Sequence, residues 1–76
     1  MNKEEFTNKV KEPYTQAWTI IKLAQTAIYT DKEEDWERYA KEADRFAKEG
    51  IDNPFQSRCA GFIYDAVDDL KKMNGG

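Results

Sequence analysis

Residues 17–29, AWTIIKLAQTAIY, form the most apolar run of the 76-residue chain. Ala17, Ile20, Ile21, Ala24, Ala27 and Ile28 recur at steps of three and four. That spacing places side chains on one stripe of a helix that turns about 100° per residue, so the stripe is the expected core face. Trp18, Leu23 and Tyr29 fall outside it. A helix with apolar side chains on its flanks must meet two neighbours, or leave part of its surface to a partner.

Upstream, Asn2 followed by Glu5 has the form of a capping box and predicts a helix start near Lys3. Pro13 lacks an amide hydrogen and its ring disfavours helical geometry at Glu12, so a short separate helix over 3–11 is expected to end there. A second helix then covers 13–29. Phe6, Val10 and Tyr14 stay in phase with the second helix, which keeps a single kinked helix as the alternative.

Downstream, Thr30 and Asp31 are good cap residues with Glu33 and Glu34 three positions later, so another helix is expected over 32–49, directly after the first long one. A link this short makes the two helices antiparallel neighbours. Trp36, Tyr39, Ala40, Ala43, Phe46 and Ala47 form its core stripe, and small alanines there permit close approach. Gly50 is the expected left-handed end, with Ile51 folding back on the last turn. Asn53 with Pro54 and Gln56 is the clearest helix start in the chain. The helix it opens, 54–73, carries the stripe Phe55, Cys59, Phe62, Ile63, Ala66, Leu70 and Met73, with Lys71 and Lys72 favourably near its C-terminal dipole. The expected fold is all-α: a small antiparallel three-helix bundle with a short additional N-terminal helix, one domain over residues 1–76.

Composition narrows the function classes. A chain of this length buries only about 60% of the surface its unfolded form exposes, so the core is thin and self-association is a standing expectation. Twelve Lys and Arg against 15 Asp and Glu give a net charge of −3, which excludes a general nucleic-acid binder of the basic kind. Cys59 is the only cysteine, so no intramolecular disulfide or thiolate cluster can form, and a reducing compartment is expected. The opening MNKEEFTNKVKE is charged with both signs and has no signal-peptide pattern, and no apolar run has bilayer length, so a cytoplasmic protein without membrane contact is expected. The chain contains no histidine and one serine, Ser57. The usual base and nucleophile pairs are therefore missing, and a protein that is not an enzyme and uses no cofactor or metal is expected.

Four surface features bear on function. Arg38, Lys41, Arg45 and Lys48 share one side of their helix, a set able to grip a phosphate-bearing ligand or an acidic partner. The same four are also explained as solvated partners of Glu34, Glu37 and Asp44, which precede Arg38, Lys41 and Lys48 by four residues. Trp18, Tyr29 and Tyr64 are candidate exposed aromatics suited to a protein interface or a stacked base. Gly61, beside Tyr64, is unfavourable in mid-helix and implies close approach by a neighbour. Asp65, Asp68 and Asp69 are better read as a solvated face than as a cation site, and Cys59 as a buried, inert thiol.

Residues 36–55, WERYAKEADRFAKEGIDNPF, look like the second helix of a tetratricopeptide repeat and its turn, without that motif's glycine and alanine spacing or a second repeat. The whole chain resembles short helical proteins of phages and prophages of Gram-positive bacteria, through Trp18 in the first long helix, Trp36 near the start of the charged one, and the Asn-Pro-Phe entry at 53–55. That resemblance implies an accessory or anti-defence factor that binds a host protein or sequesters a nucleotide signal. The alternative is a structural subunit that acts by self-association. The candidate binding residues are Arg38, Lys41, Arg45, Lys48, Trp18 and Tyr64.

Overall fold

Local capping chemistry sets where the first and last helices begin. Asn2 Oδ1 accepts the Glu5 amide at 2.8 Å, and its side-chain Nδ2 donates to Glu5 Oε1 at 3.1 Å. Asn53 Oδ1 accepts the amides of Phe55 and Gln56 at 3.0 and 3.1 Å, with Pro54 following it where a missing amide costs nothing. The computed structural model, which describes residues 1–75, has three helices and no strand among the described residues. They are α1 (Lys3–Thr30), α2 (Glu33–Glu49) and α3 (Pro54–Met73). The chain is all-helical, and no helix among the described residues is long and apolar enough to cross a membrane.

The expected break at Pro13 does not occur. There is no separate N-terminal helix among the described residues, because α1 runs through Pro13 without interruption. Proline removes the amide that would bond the Lys9 carbonyl. Residues 1–12 are all exposed, so water is available to that carbonyl, while the proline ring is buried on the side that also carries Ala17 and Ile20. At about 1.5 Å per residue the 28 residues of α1 span about 42 Å, close to the 44 Å long axis of the molecule.

The link to α2 also differs from expectation. Asp31 ends α1 in the left-handed conformation (φ 53°), and its amide returns to the Ala27 carbonyl at 2.8 Å. The residue capping α2 is Lys32, which makes no side-chain cap bond. Thr30 assists by donating its hydroxyl to Asp35 at 2.6 Å. At the other end of α2, Gly50 is not left-handed (φ −88°), and Ile51 is exposed instead of folding back. Glycine is required at 50 for space: a Cβ there would lie 2.6 Å from Gln56 Cγ. That crowding belongs to a closed corner in which Gln56 Nε2 donates to the Phe46 carbonyl and Ser57 Oγ to the Gly50 carbonyl, both at 2.9 Å. Side chains from the first turn of α3 thus satisfy carbonyls left over at the end of α2.

The core joins Ala17, Ile20 and Ala24 of α1 to Tyr39, Ala43 and Phe46 of α2 and to Cys59, Ala60, Ile63 and Val67 of α3. Phe46 and Ile63 are its largest fully enclosed side chains, and no polar or charged side chain is buried among the described residues. Ala17, Ala24 and Ala27 of α1 and Ala43 of α2 are buried as their pattern predicts, whereas Ala40, expected on the core stripe of α2, is exposed because it lies at the margin that α1 and α3 leave uncovered. On α3 the buried face is rotated from the expected one. Ala60 and Val67 are inside, whereas Phe62 and Met73 are exposed. The face is shifted because α3 closes one core with α1 and α2 together, so its buried side lies between the two. The Cα radius of gyration, 13.5 Å, exceeds the roughly 11 Å of a close-packed globule of this length. The excess reflects an elongated layer of helices with an open side.

Candidate functional site

The open side is a trough along the seam between α1 and α3, on the flank that α2 does not cover. The i, i+4 ladder Phe6, Val10, Tyr14 and Trp18 builds one wall, continued by Ile21, and the rotation of α3 turns Phe62 out to form the other. At the lower end Phe6 and Val10 face Pro54 and Phe55. In the middle, Tyr14, Trp18 and Ile21 face Cys59, Phe62, Ala66 and Leu70 around a cavity of about 620 Å³. At the upper end Ile28 and Tyr29 face Leu70 and Met73. Tyr14 is 69% exposed, Phe62 61% and Trp18 55%, although each lies on an otherwise apolar seam. Isolated exposed apolar side chains are ordinary, but here Phe6, Tyr14, Trp18 and Phe62 are exposed together along one seam.

The charges at the trough's rims are segregated. Asp65 and Asp69 line the α3 side. On the α1 side Lys22 Nζ lies 6.0 Å from the centre of the Trp18 ring, within the outer range of a cation–π contact. Among the described residues Lys22, Asp65 and Asp69 form no ion pair. Cys59 lies on the trough floor, almost fully buried, and burial pushes its thiol above the ordinary value. A thiol held neutral in this way is a poor nucleophile.

The cationic set on α2 lies elsewhere, and most of it is engaged within its own helix. Arg45 is gripped by Glu42 and Glu49, at 2.8 and 2.9 Å, and Lys48 by Asp44 at 2.9 Å. Those partners hold both cations above their ordinary pKa values, through hydrogen bonds first and charge second. Arg38 approaches Asp35 at 3.9 Å, not Glu34. Lys41 is exposed with no ion-pair partner among the described residues.

Trp18 and Tyr64 are not brought together. Trp18 lines the trough, whereas Tyr64, 47% exposed, lies on the α2 side of α3 near the buried Tyr39. Burial, and then the neighbouring Tyr64 and Asp68, push the Tyr39 hydroxyl above its ordinary value. The three aspartates of α3 are divided in the same way, Asp65 and Asp69 to the trough and Asp68 to the Tyr39 side. No cluster of three metal-ligating side chains forms among the described residues. Among the described residues no atom lies within 4 Å of where a Cβ on Gly61 would be, so the site faces open space.

Phe62, Tyr14 and Phe6 are the trough residues that sequence reasoning did not single out. The signal was present in the unbroken i, i+4 ladder from Phe6 to Trp18, which makes sense only if the helix continues through Pro13. Comparison with protein-family models, with curated proteins and with solved structures finds no match to this chain.

Proposed function

We propose that this is a non-enzymatic binding protein whose working surface is the α1–α3 trough and whose ligand is protein. One observation carries the reading: Tyr14, Trp18 and Phe62 stand uncovered together along a single seam. The trough accepts an amphipathic helical surface, with apolar side chains at helical spacing seated between Trp18 and Phe62 and polar ones outward. The order of facing residues, Val10 with Phe55 and Ile28 with Met73, supports an antiparallel bundle in which α2 returns along α1 and α3 runs with α1. A phage-type accessory or anti-defence role fits such a module, since occupying a host protein requires a surface and no chemistry.

The competing reading, capture of a small phosphorylated signal by the α2 cations, is less favoured because Arg38, Arg45 and Lys48 already have carboxylate neighbours. Thermal unfolding with and without cyclic nucleotides separates the two. No change in midpoint is expected with any nucleotide. A stabilisation that disappears in the Arg38→Glu, Arg45→Glu double variant would replace the protein-binding reading with the nucleotide one.

A further inference from the structure

We propose that the occupant of the trough is a second copy of this chain, so that two molecules close their open faces into one core of four central helices. The inference rests on the reading of the trough as a protein-binding surface and names its partner. Two features of the face support it.

Its composition is right, since aromatics run along its centre and charge is confined to the rims. Its charge pattern is self-complementary, with Lys22 on the α1 rim and Asp65 and Asp69 on the α3 rim, all beside the same stretch of trough and none in an ion pair among the described residues. A two-fold axis parallel to the helices lays α1 of one copy over α3 of the other at the same height. Lys22 of each copy then stands opposite Asp65 and Asp69 of the other, and Trp18 meets Phe62 twice. An interface that repeats its contacts through a two-fold is the commonest form of protein self-association. A single cationic or single acidic partner helix would match only one of the two rims.

Light scattering over a dilution series tests this directly. The wild type is expected at about 18 kDa, twice the 8.9 kDa chain, and to dissociate on dilution. Phe62→Ala should weaken the pair by at least about 100-fold, because a central aromatic is lost twice. Lys22→Glu alone, and Asp65→Lys with Asp69→Lys, should each weaken it about tenfold. Combining all three substitutions should restore it, a rescue that a nonspecific loss of folding cannot produce. Circular dichroism of each variant verifies that the helices persist.

A wild type of 8.9 kDa at 0.1 mM, or a dimer indifferent to Phe62→Ala, would overturn the proposal. A dimer in which the triple variant stays as weak as its parents would refute the two-fold arrangement. If the chain is monomeric, titration with a synthetic amphipathic helical peptide judges the broader reading separately. Binding abolished by Trp18→Ala leaves the protein-binding function standing with another occupant, and absence of binding removes both.

Discussion

Replacing Gly61 with alanine is expected to stabilise the protein. Glycine in a helix interior costs about 1 kcal/mol relative to alanine, because it surrenders more backbone freedom on folding. The penalty is normally tolerated where a neighbour needs the space, yet a Cβ built on Gly61 meets nothing within 4 Å, so the new methyl displaces nothing. The unfolding entropy of a small domain is about 2.1 cal/mol/K per residue, or about 160 cal/mol/K for this chain. One kcal/mol therefore raises the midpoint by about 6 °C. The assay is thermal unfolding followed by circular dichroism, with both proteins at one fixed concentration because association shifts a midpoint by mass action. Gly61 is exposed and stands one turn before Asp65 of the α3 rim, so the comparison is read at a dilution where any pair has dissociated. An unchanged or lowered midpoint would refute the reasoning and would mean that a molecule outside the chain packs on Gly61.

Phe46→Ala removes the largest fully enclosed side chain, at a cost of about 3–5 kcal/mol; most of a small domain's stability would go, and a flattened urea transition with reduced helicity is the expected outcome. Asn53→Ala removes the acceptor for two amides and should cost about 1 kcal/mol, read as a lower urea midpoint with unchanged slope. Burial holds Cys59 and Tyr39 above their ordinary values, so the folded chain retains protons that the unfolded chain releases. Stability should therefore be complete below about pH 8 and fall as pH rises through the ranges of the free thiol and then the free tyrosine, near 8.5 and 10. Urea midpoints at pH 7, 9 and 10 check this, and Cys59→Ala should flatten the first part of the decline.

Much of the fold was legible because it is encoded by nearest neighbours. The caps at Asn2 and Asn53, the alanine faces of α1 and α2 and the terminal lysines of α3 depend on residues three or four positions apart. Pro13 misled because proline's effect is judged by the local ring clash and lost bond, whereas its cost here depends on whether water reaches the Lys9 carbonyl and whether the ring finds a packed face. The phase of α3 was missed for a related reason. The stripe at three- and four-residue spacing places Phe62 and Met73 inside, but burial is decided by where α1 and α2 sit, and they take Ala60 and Val67. Of the candidate site residues, Trp18 lines the trough, Arg38, Arg45 and Lys48 are occupied by carboxylates, and Tyr64 lies on the opposite side of α3. Periodicity distinguishes an apolar face from a polar one, but it cannot tell which of two apolar faces will be covered.

The corner between α2 and α3 has a kinetic consequence. Its two side-chain bonds, Gln56 to Phe46 and Ser57 to Gly50, join residues only ten and seven apart, so closing it immobilises little chain before the bonds repay the cost. The two-residue link from α1 to α2 is as local a closure, so both hairpins can form before α1 and α3 meet through contacts far apart in sequence. Substitutions at Gln56 or Ser57 should slow folding to the extent that the corner is closed at the barrier. The nascent chain emerges with α1 first. Its apolar stripe first finds a partner in α2, and the corner closes only when α3 has followed.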